Sequence, residues 1–127
     1  MLPKGHPQRT EKEAKAETLA IPDKYSHIDF TPPKGAQEAA KRALEVRATK
    51  PPSQRGMTDV GIARARDLGN GKQLSPDTVK RMLNYFTRHE VDKKGSTWND
   101  QGKGWQAWQG WGGDAGFAWS RKVVNQM

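Results

Sequence analysis

The 127 residues of the chain include 22 Lys and Arg against 14 Asp and Glu, so the formal net charge is +8 at pH 7. A chain of this length holds at most one domain, and without cysteine it has no disulfide, thiolate metal site or thiol nucleophile. No stretch approaches the roughly 18 apolar residues of a membrane helix, and the N-terminus lacks the apolar centre of a signal peptide. The sequence therefore predicts a soluble chain that stays where it is made.

Aliphatic residues and phenylalanine are scarce in this chain. Leu, Ile, Val and Phe make up about 14% of the residues, below the roughly 20% at which charged sequences tend to be disordered. Five tryptophans offset the shortage, because each buries on the order of 200 Å², and all lie between Trp98 and Trp119. We therefore expect a Trp-rich core near the C-terminus and a leading part that does not fold alone.

Residues 1–34 are predicted to form an extended N-terminal arm. They contain five of the eight prolines, and proline favours extended backbone in itself and in the residue before it. Residues 11–20 contain good helix formers and are a candidate for a short exposed helix, although Leu19 alone gives it little to pack.

A few apolar side chains stand among the prolines at the end of this arm. Spaced apolar side chains on extended backbone are suited to docking onto another surface. We expect these four to fill pockets on a partner protein: Ile21, Tyr25, Ile28 and Phe30.

The chain from residue 35 to 127 is predicted to form a helical domain. Alanines recur at three-to-four spacing from Ala36 to Ala43, which indicates a helix with a narrow packing face. Prolines 51 and 52 end it. Thr58 and Asp59 are positioned to cap a second helix, which the glycines at 69 and 71 stop.

A third helix is predicted from its start signal. Ser75 is an expected N-cap, Pro76 suits the first helical position, and Asp77 complements the helix dipole. The apolar residues that follow have helical spacing and predict one buried face; they are Val79, Met82, Leu83 and Phe86.

The C-terminal part is predicted to hold the tryptophans on helices. Residues 93–104 are polar and contain glycine, which indicates a loop. Trp105, Trp108 and Trp111 then repeat every three residues and would form an aromatic ridge on a helix. Glycines 112 and 113 predict a turn, after which Asp114 is positioned to cap a final helix. The expected fold is mainly α, with four to five short helices and the extended arm.

Four motifs in this order resemble a small domain of tailed-bacteriophage and prophage proteins. They are ARARDL, LSPDTVKRM, FTRHEVDKKG and WGGDAGFAW, and the preceding YSHIDFTPPKGAQEAAKRALEVR is similar to the usual lead-in. The resemblance covers about residues 25–125 and implies a gene near those for head assembly, but it implies no catalytic residues. Residues 106–110 depart from the family's more aliphatic run, which leaves a neighbouring subunit as an alternative partner for the ridge.

Basic side chains in the helical region are candidates for nucleic-acid binding, because a basic face gains affinity by releasing counterions. Residues 35–90 hold 11 basic and 6 acidic residues. The alternative is a solvated helical surface with ion pairs. The candidates are Arg64, Arg66, Lys80, Arg81 and Arg88.

Two other groups resemble chemical sites but are assigned structural roles. In the group of His89, Glu90 and Asp92, neighbours at i and i+1 do not share a helical face and no second cluster of His or carboxylates accompanies them, so a metal site or an acid/base pair is not expected there. The glycines from 110 to 116 fit neither dinucleotide-binding nor P-loop spacing. Stacking of the tryptophans on single-stranded bases remains an alternative to core packing. No enzyme, metal or cofactor is predicted.

The sequence and the resemblance together predict a structural protein of a phage particle. The expected role is a capsid-associated cement protein, present in many copies, whose arm docks on the major capsid protein or another virion protein. The alternatives are a basic DNA-binding protein, packaged or intracellular, and a head-to-tail connector or tail component.

Overall fold

The computed structural model describes residues 21–127, which form five α-helices, four short 3-10 turns and no strand. The predicted mainly helical fold is confirmed. The predictions for residues 1–20, including the short helix over residues 11–20, lie outside the described residues. The helices are α1 (Lys34–Thr49), α2 (Asp59–Gly69), α3 (Pro76–His89), α4 (Lys103–Gly110) and α5 (Gly113–Gln126).

Helix α1 is the centre of the packing. It contacts α2, α4 and α5, while α3 packs on α5. Ala36, Ala40 and Ala43 are completely buried on α1. Because alanine extends so little from the helix, three neighbours approach α1 closely, as the alanine spacing predicts.

The predicted start signals of α2 and α3 are confirmed. The Thr58 hydroxyl accepts a hydrogen bond from the Gly61 backbone N–H at 3.1 Å. The Ser75 hydroxyl accepts one from the Thr78 N–H at 3.2 Å, with Pro76 in the first turn. Each side chain satisfies a backbone donor that the helix itself leaves unpaired.

The apolar face of α3 lies in the core. Val79, Met82 and Phe86 have no exposed surface, whereas Leu83 is half-buried at the edge of the face. Tyr85 is also on this side, with 8% of its surface exposed. The face is therefore wider than the four-residue pattern predicts.

The tryptophans divide between core and edge. Trp108 is 1% exposed and meets the Phe86 ring edge-on at a centroid distance of 4.8 Å. Trp105 is buried as well, while Trp98, Trp111 and Trp119 are half-buried. The predicted glycine turn joins α4 to α5, where Gly112 and Gly113 have φ angles of 113° and 65° that favour glycine.

The predicted capping role of Asp114 is wrong. Gly112 occupies the N-cap position of α5 and Asp114 lies inside the first turn, because the positive φ angles of the turn bring the chain into the helix two residues earlier. The Asp114 carboxylate instead accepts hydrogen bonds from Trp108 Nε1 at 2.9 Å and Lys93 Nζ at 2.7 Å. It therefore joins the loop before α4 to the start of α5.

The segment before α1 belongs to the folded domain, which corrects the predicted boundary between residues 34 and 35. Phe30 and Pro32 are fully buried and Ile28 is 6% exposed. The Phe30 carbonyl accepts a hydrogen bond from the Leu74 N–H at 2.9 Å. Prolines hold this segment extended, as predicted, but it lies against the core of its own chain.

Gln106, in the segment of residues 106–110, has a structural role. Gln106 is completely buried, and its side-chain oxygen accepts from the Gly56 N–H at 2.7 Å. Its Nε2 donates to the carbonyls of Gln54 at 3.1 Å and Gln101 at 3.0 Å. One amide thus joins two loops to α4.

Candidate functional site

The four predicted docking residues lie together, but in the chain's own core. Ile28 and Phe30 are buried in the main apolar cluster, and Ile21 and Tyr25 are half-buried against it. The prediction that Ile28 and Phe30 fill pockets of a partner is therefore wrong. The apolar spacing was correctly recognised as a docking pattern, but the surface it docks on is intramolecular. Only Ile21 and Tyr25 keep part of their surface accessible.

The basic side chains of α3 form one exposed face. Lys80, Arg81 and Arg88 are all exposed, and none has a carboxylate within ion-pair distance among residues 21–127. Positions 81 and 88 are two helical turns apart, about 10 Å along the axis. Asn84 lies between them on the same side. We call Lys80, Arg81 and Arg88 the basic face.

The two arginines of α2 do not extend this face. Helices α2 and α3 do not pack closely against each other. The Arg64 side chain is 22% exposed and approaches Asp67 at 3.9 Å, while Lys72 approaches the same carboxylate at 3.6 Å. Arg66 is exposed. On α2 the structure therefore favours the alternative of an ion-paired surface, except at Arg66.

The residues of the RHEVD motif act within the fold. His89 Nδ1 lies 3.1 Å from Asp92 Oδ2, which joins the end of α3 to the following turn, Glu90–Lys94. Glu90 is exposed. In the part of the chain that the structure describes, no three His, Asp or Glu side chains are grouped so that they could hold a metal ion.

The Asp114 carboxylate has the clearest electrostatic perturbation of an acid. The hydrogen bond from Lys93 is the largest cause and lowers the pKa of Asp114, and the bond from Trp108 lowers it as well. Partial burial acts in the opposite direction. The Lys93 ammonium also lies 4.7 Å from the centre of the Trp108 ring. This cluster stabilises the charged carboxylate and holds Trp108 in place.

A cleft of about 540 Å³ lies between the start of α2, the end of α3 and α4. Glycines 56, 61 and 104 line it and leave room between these elements. Its apolar floor comprises Met57, Tyr85, Ala107 and Trp111, and its charged lining comprises Arg55, Asp92 and Lys103.

Three rings stack along one side of the cleft. The Tyr85 ring lies between His89, at a centroid distance of 4.6 Å, and Trp111, at 5.1 Å. The Tyr85 hydroxyl is buried and has no hydrogen-bond partner among residues 21–127. Burial raises the pKa of this hydroxyl, and the charge of Asp92 raises it further, so it is a protonated donor at neutral pH.

Sequence reasoning missed the cleft because its residues come from four separate segments. Tyr85 follows Met82 by three positions, so helical spacing gave a signal that it faces inward. Met57 gave none: it adopts a φ angle of 71°, which is uncommon for a residue with a side chain. Its side chain fits there because Gly110 is bare, and a Cβ at Gly110 would lie 2.5 Å from Met57 Sδ.

Comparison of the chain with protein-family models, with curated proteins and with solved structures finds no match. Within residues 21–127, no helix is both long and apolar enough to cross a membrane.

Proposed function

We propose that this chain is a noncatalytic structural component of a tailed-phage particle, associated with the capsid and present in many copies. It acts by binding the major capsid protein or another virion protein. The proposal takes the phage context from the four-motif resemblance and the mode of action from the roles of the motif residues.

The observation that carries the proposal is what the side chains of the four motifs do. Leu68 and Met82 are core residues, His89 and Asp92 close a turn, and Asp114 joins a loop to a helix. The motifs thus build a stable domain. A domain held by such contacts suits a component that persists in an assembled particle.

The docking segment is redefined by the burial of Ile28 and Phe30. Residues 1–20 lie outside the described residues and contain two of the five prolines of the predicted arm, and Ile21 and Tyr25 follow them in the chain. We therefore assign the capsid contact to residues 1–20 together with the accessible parts of Ile21 and Tyr25. A deletion that tests docking has to stop at residue 20, because removal of Phe30 opens the core.

The proposal predicts that a chain lacking residues 1–20 keeps its helical circular dichroism and its unfolding temperature but no longer sediments with purified capsids. A chain lacking residues 1–34 serves as the comparison and is expected to lose both the helical circular dichroism and the wild-type unfolding temperature. Undiminished capsid binding by the shorter deletion would contradict the assigned contact. Absence of the protein from purified virions by mass spectrometry would contradict the whole proposal.

A head-to-tail connector or tail component is the alternative location within a particle. It has the same noncatalytic chemistry but a different copy number. Quantitative mass spectrometry separates the two locations, because a shell protein is present in amounts comparable with the major capsid protein and a connector in a small fraction of that amount.

A second candidate function is DNA binding, and the basic face of α3 is the observation that favours it. Three cations without a carboxylate partner among residues 21–127 lie on one exposed helical side and are suited to phosphate contacts. Such binding is expected to weaken steeply as salt is raised above about 50 mM.

A gel-shift series against salt tests this function with a matched pair of variants. Replacing Lys80, Arg81 and Arg88 by alanine should weaken binding and reduce the salt slope by about 3. The control removes three exposed lysines elsewhere: Lys41, Lys94 and Lys122. Equal losses in the two variants would indicate attraction by net charge alone, and no binding at about 50 mM salt would exclude the function.

A further inference from the structure

The cleft is lined by a tyrosine whose hydroxyl forms no hydrogen bond within the described residues. Tyr85 is 8% exposed, and its hydroxyl has no hydrogen-bond partner among residues 21–127. A buried hydroxyl without a partner costs stability, so unsatisfied groups of this kind point to a ligand or to bound water. Because Tyr85 lines the cleft, an occupant of the cleft is the nearest source of a partner.

The charges around the cleft select the chemistry of that occupant. The positively charged Arg55 and Lys103 and the negatively charged Asp92 all line it. Asp92 disfavours an anion such as phosphate, and the two cations disfavour an ammonium group. A neutral group with both an acceptor and a donor fits all three, and the amide of a peptide main chain is such a group.

The apolar floor of the cleft determines which kind of side chain stands beside the amide of the occupant. Tyr85 and Trp111 stack at 5.1 Å with an interplanar angle of 17°, and Met57 and Ala107 complete an apolar surface. Polarizable aromatic and thioether groups accept apolar side chains of varied shape. The left-handed backbone of Met57 is the kind of local strain that clusters at ligand sites.

We propose that this cleft binds a peptide segment of a partner protein. The segment places an apolar side chain on the Tyr85 and Trp111 rings and an adjacent amide between the Tyr85 hydroxyl and the Asp92 carboxylate. The carbonyl accepts from the hydroxyl, and the N–H donates to the carboxylate. This inference rests on the proposed function only in taking the ligand to be a protein.

Access to the hydroxyl requires a lining side chain to move. The hydroxyl is closed off in the free chain, whereas the His89 side chain that covers the Tyr85 ring is 45% exposed. Among the described residues, the polar contact of the His89 ring is the 3.1 Å one with Asp92, beside its stacking on Tyr85. An incoming amide that takes the Asp92 carboxylate would therefore release His89 and open the way to Tyr85.

The test selects a displayed library of short random peptides on the full chain and measures the dissociation constants of the enriched peptides. Three variants are compared. Tyr85→Phe removes only the hydroxyl, Thr87→Val is the control that removes an exposed hydroxyl of the same helix outside the cleft, and Gly61→Leu narrows the cleft, since a side chain there grows toward Met57.

The expected result is a set of peptides sharing an apolar residue that bind the wild type and Thr87→Val equally. Binding to Tyr85→Phe should be about tenfold weaker, which matches the loss of one hydrogen bond, and binding to Gly61→Leu should be lost. Circular dichroism of Tyr85→Phe confirms that the fold is intact.

Three outcomes would overturn the inference: no enriched peptide, enriched peptides that bind all variants equally, or binding that inorganic phosphate displaces. These outcomes leave the proposed function standing, because that function is decided by the protein content of purified virions. Conversely, absence from virions would not affect peptide binding in the cleft.

Discussion

At the scale of single residues, Tyr85 shows a conflict between stability and binding. Its ring contributes to an aromatic stack, while its hydroxyl lacks a partner among residues 21–127. We expect Tyr85→Phe to raise the free energy of unfolding by about 1 kcal/mol, because the substitution removes an unsatisfied buried group. Urea unfolding of the two proteins measures this. A less stable variant would indicate that the hydroxyl is paired in solution.

Gln106 is the opposite case, because it is a buried polar side chain whose amide oxygen and nitrogen both form hydrogen bonds. Gln106→Leu keeps the size of the side chain but leaves the Gly56 N–H and two carbonyls without partners. A loss of at least about 2 kcal/mol is expected, since each orphaned buried group costs about 1–3 kcal/mol. The exposed Gln73→Leu is the control for urea unfolding, and similar losses in both variants would argue against the role of Gln106.

Asp114 links stability to pH through its lowered pKa. A carboxyl whose pKa is lower in the folded state contributes stability above its unfolded value, near 3.9, and loses it as pH falls through the folded pKa. Asp114→Asn should therefore be less stable than wild type at neutral pH and equal to it in strong acid. The effect is small because the side chain is 77% exposed. A constant difference at all pH values would refute the linkage.

At the scale of elements, the helix starts are local events that the chain encodes within a few residues. Ser75 caps α3 through the Thr78 N–H and also contacts the Thr78 hydroxyl at 2.9 Å. Ser75→Ala should cost about 1 kcal/mol, and Ser75→Asp should retain most of the stability because it restores the acceptor. Thermal unfolding distinguishes them; equal losses would show that the cap contributes little.

Element boundaries were less predictable where backbone geometry was unusual. The start of α5 differs from expectation because Gly112 and Gly113 enter the helix through positive φ angles. Glycine permits such angles without requiring them. The sequence therefore favoured Asp114 as the cap of α5, whereas the structure has Gly112 there and bonds Asp114 to Trp108.

At the scale of the whole molecule, the segment before α1 shows how far the folded domain extends toward the N-terminus. Phe30 is fully buried and shares the core cluster with residues of α1, α2, α3 and α5. We expect Phe30→Ala to cost about 3–5 kcal/mol, a large part of the total of about 5–15 kcal/mol for a domain. Thermal unfolding measures it. An unchanged melting temperature would show that Phe30 belongs to the arm and that the predicted boundary between residues 34 and 35 is correct.

The candidate sites were predictable in unequal measure. Lys80, Arg81 and Arg88 were found from the sequence, because helical spacing alone places them opposite the apolar face. The cleft was not found, because it joins residues from the loop before α2, from α3, from the turn after it and from α4. Helical periodicity describes neighbours along one element and is silent about which elements meet.

Composition and local pattern by themselves determined that this protein is helical, where α2 and α3 begin, which face of α3 is apolar and which cations of α3 are exposed, because short-range hydrogen bonding and helical geometry decide these features. Only the tertiary structure decided that Ile28 and Phe30 fill their own core and that Gln106 joins two loops. The same holds for the burial of the Tyr85 hydroxyl without a hydrogen-bond partner among the described residues. An apolar side chain has the same preference for a pocket of its own chain as for one of a partner, and only the packed fold shows which pocket is within reach.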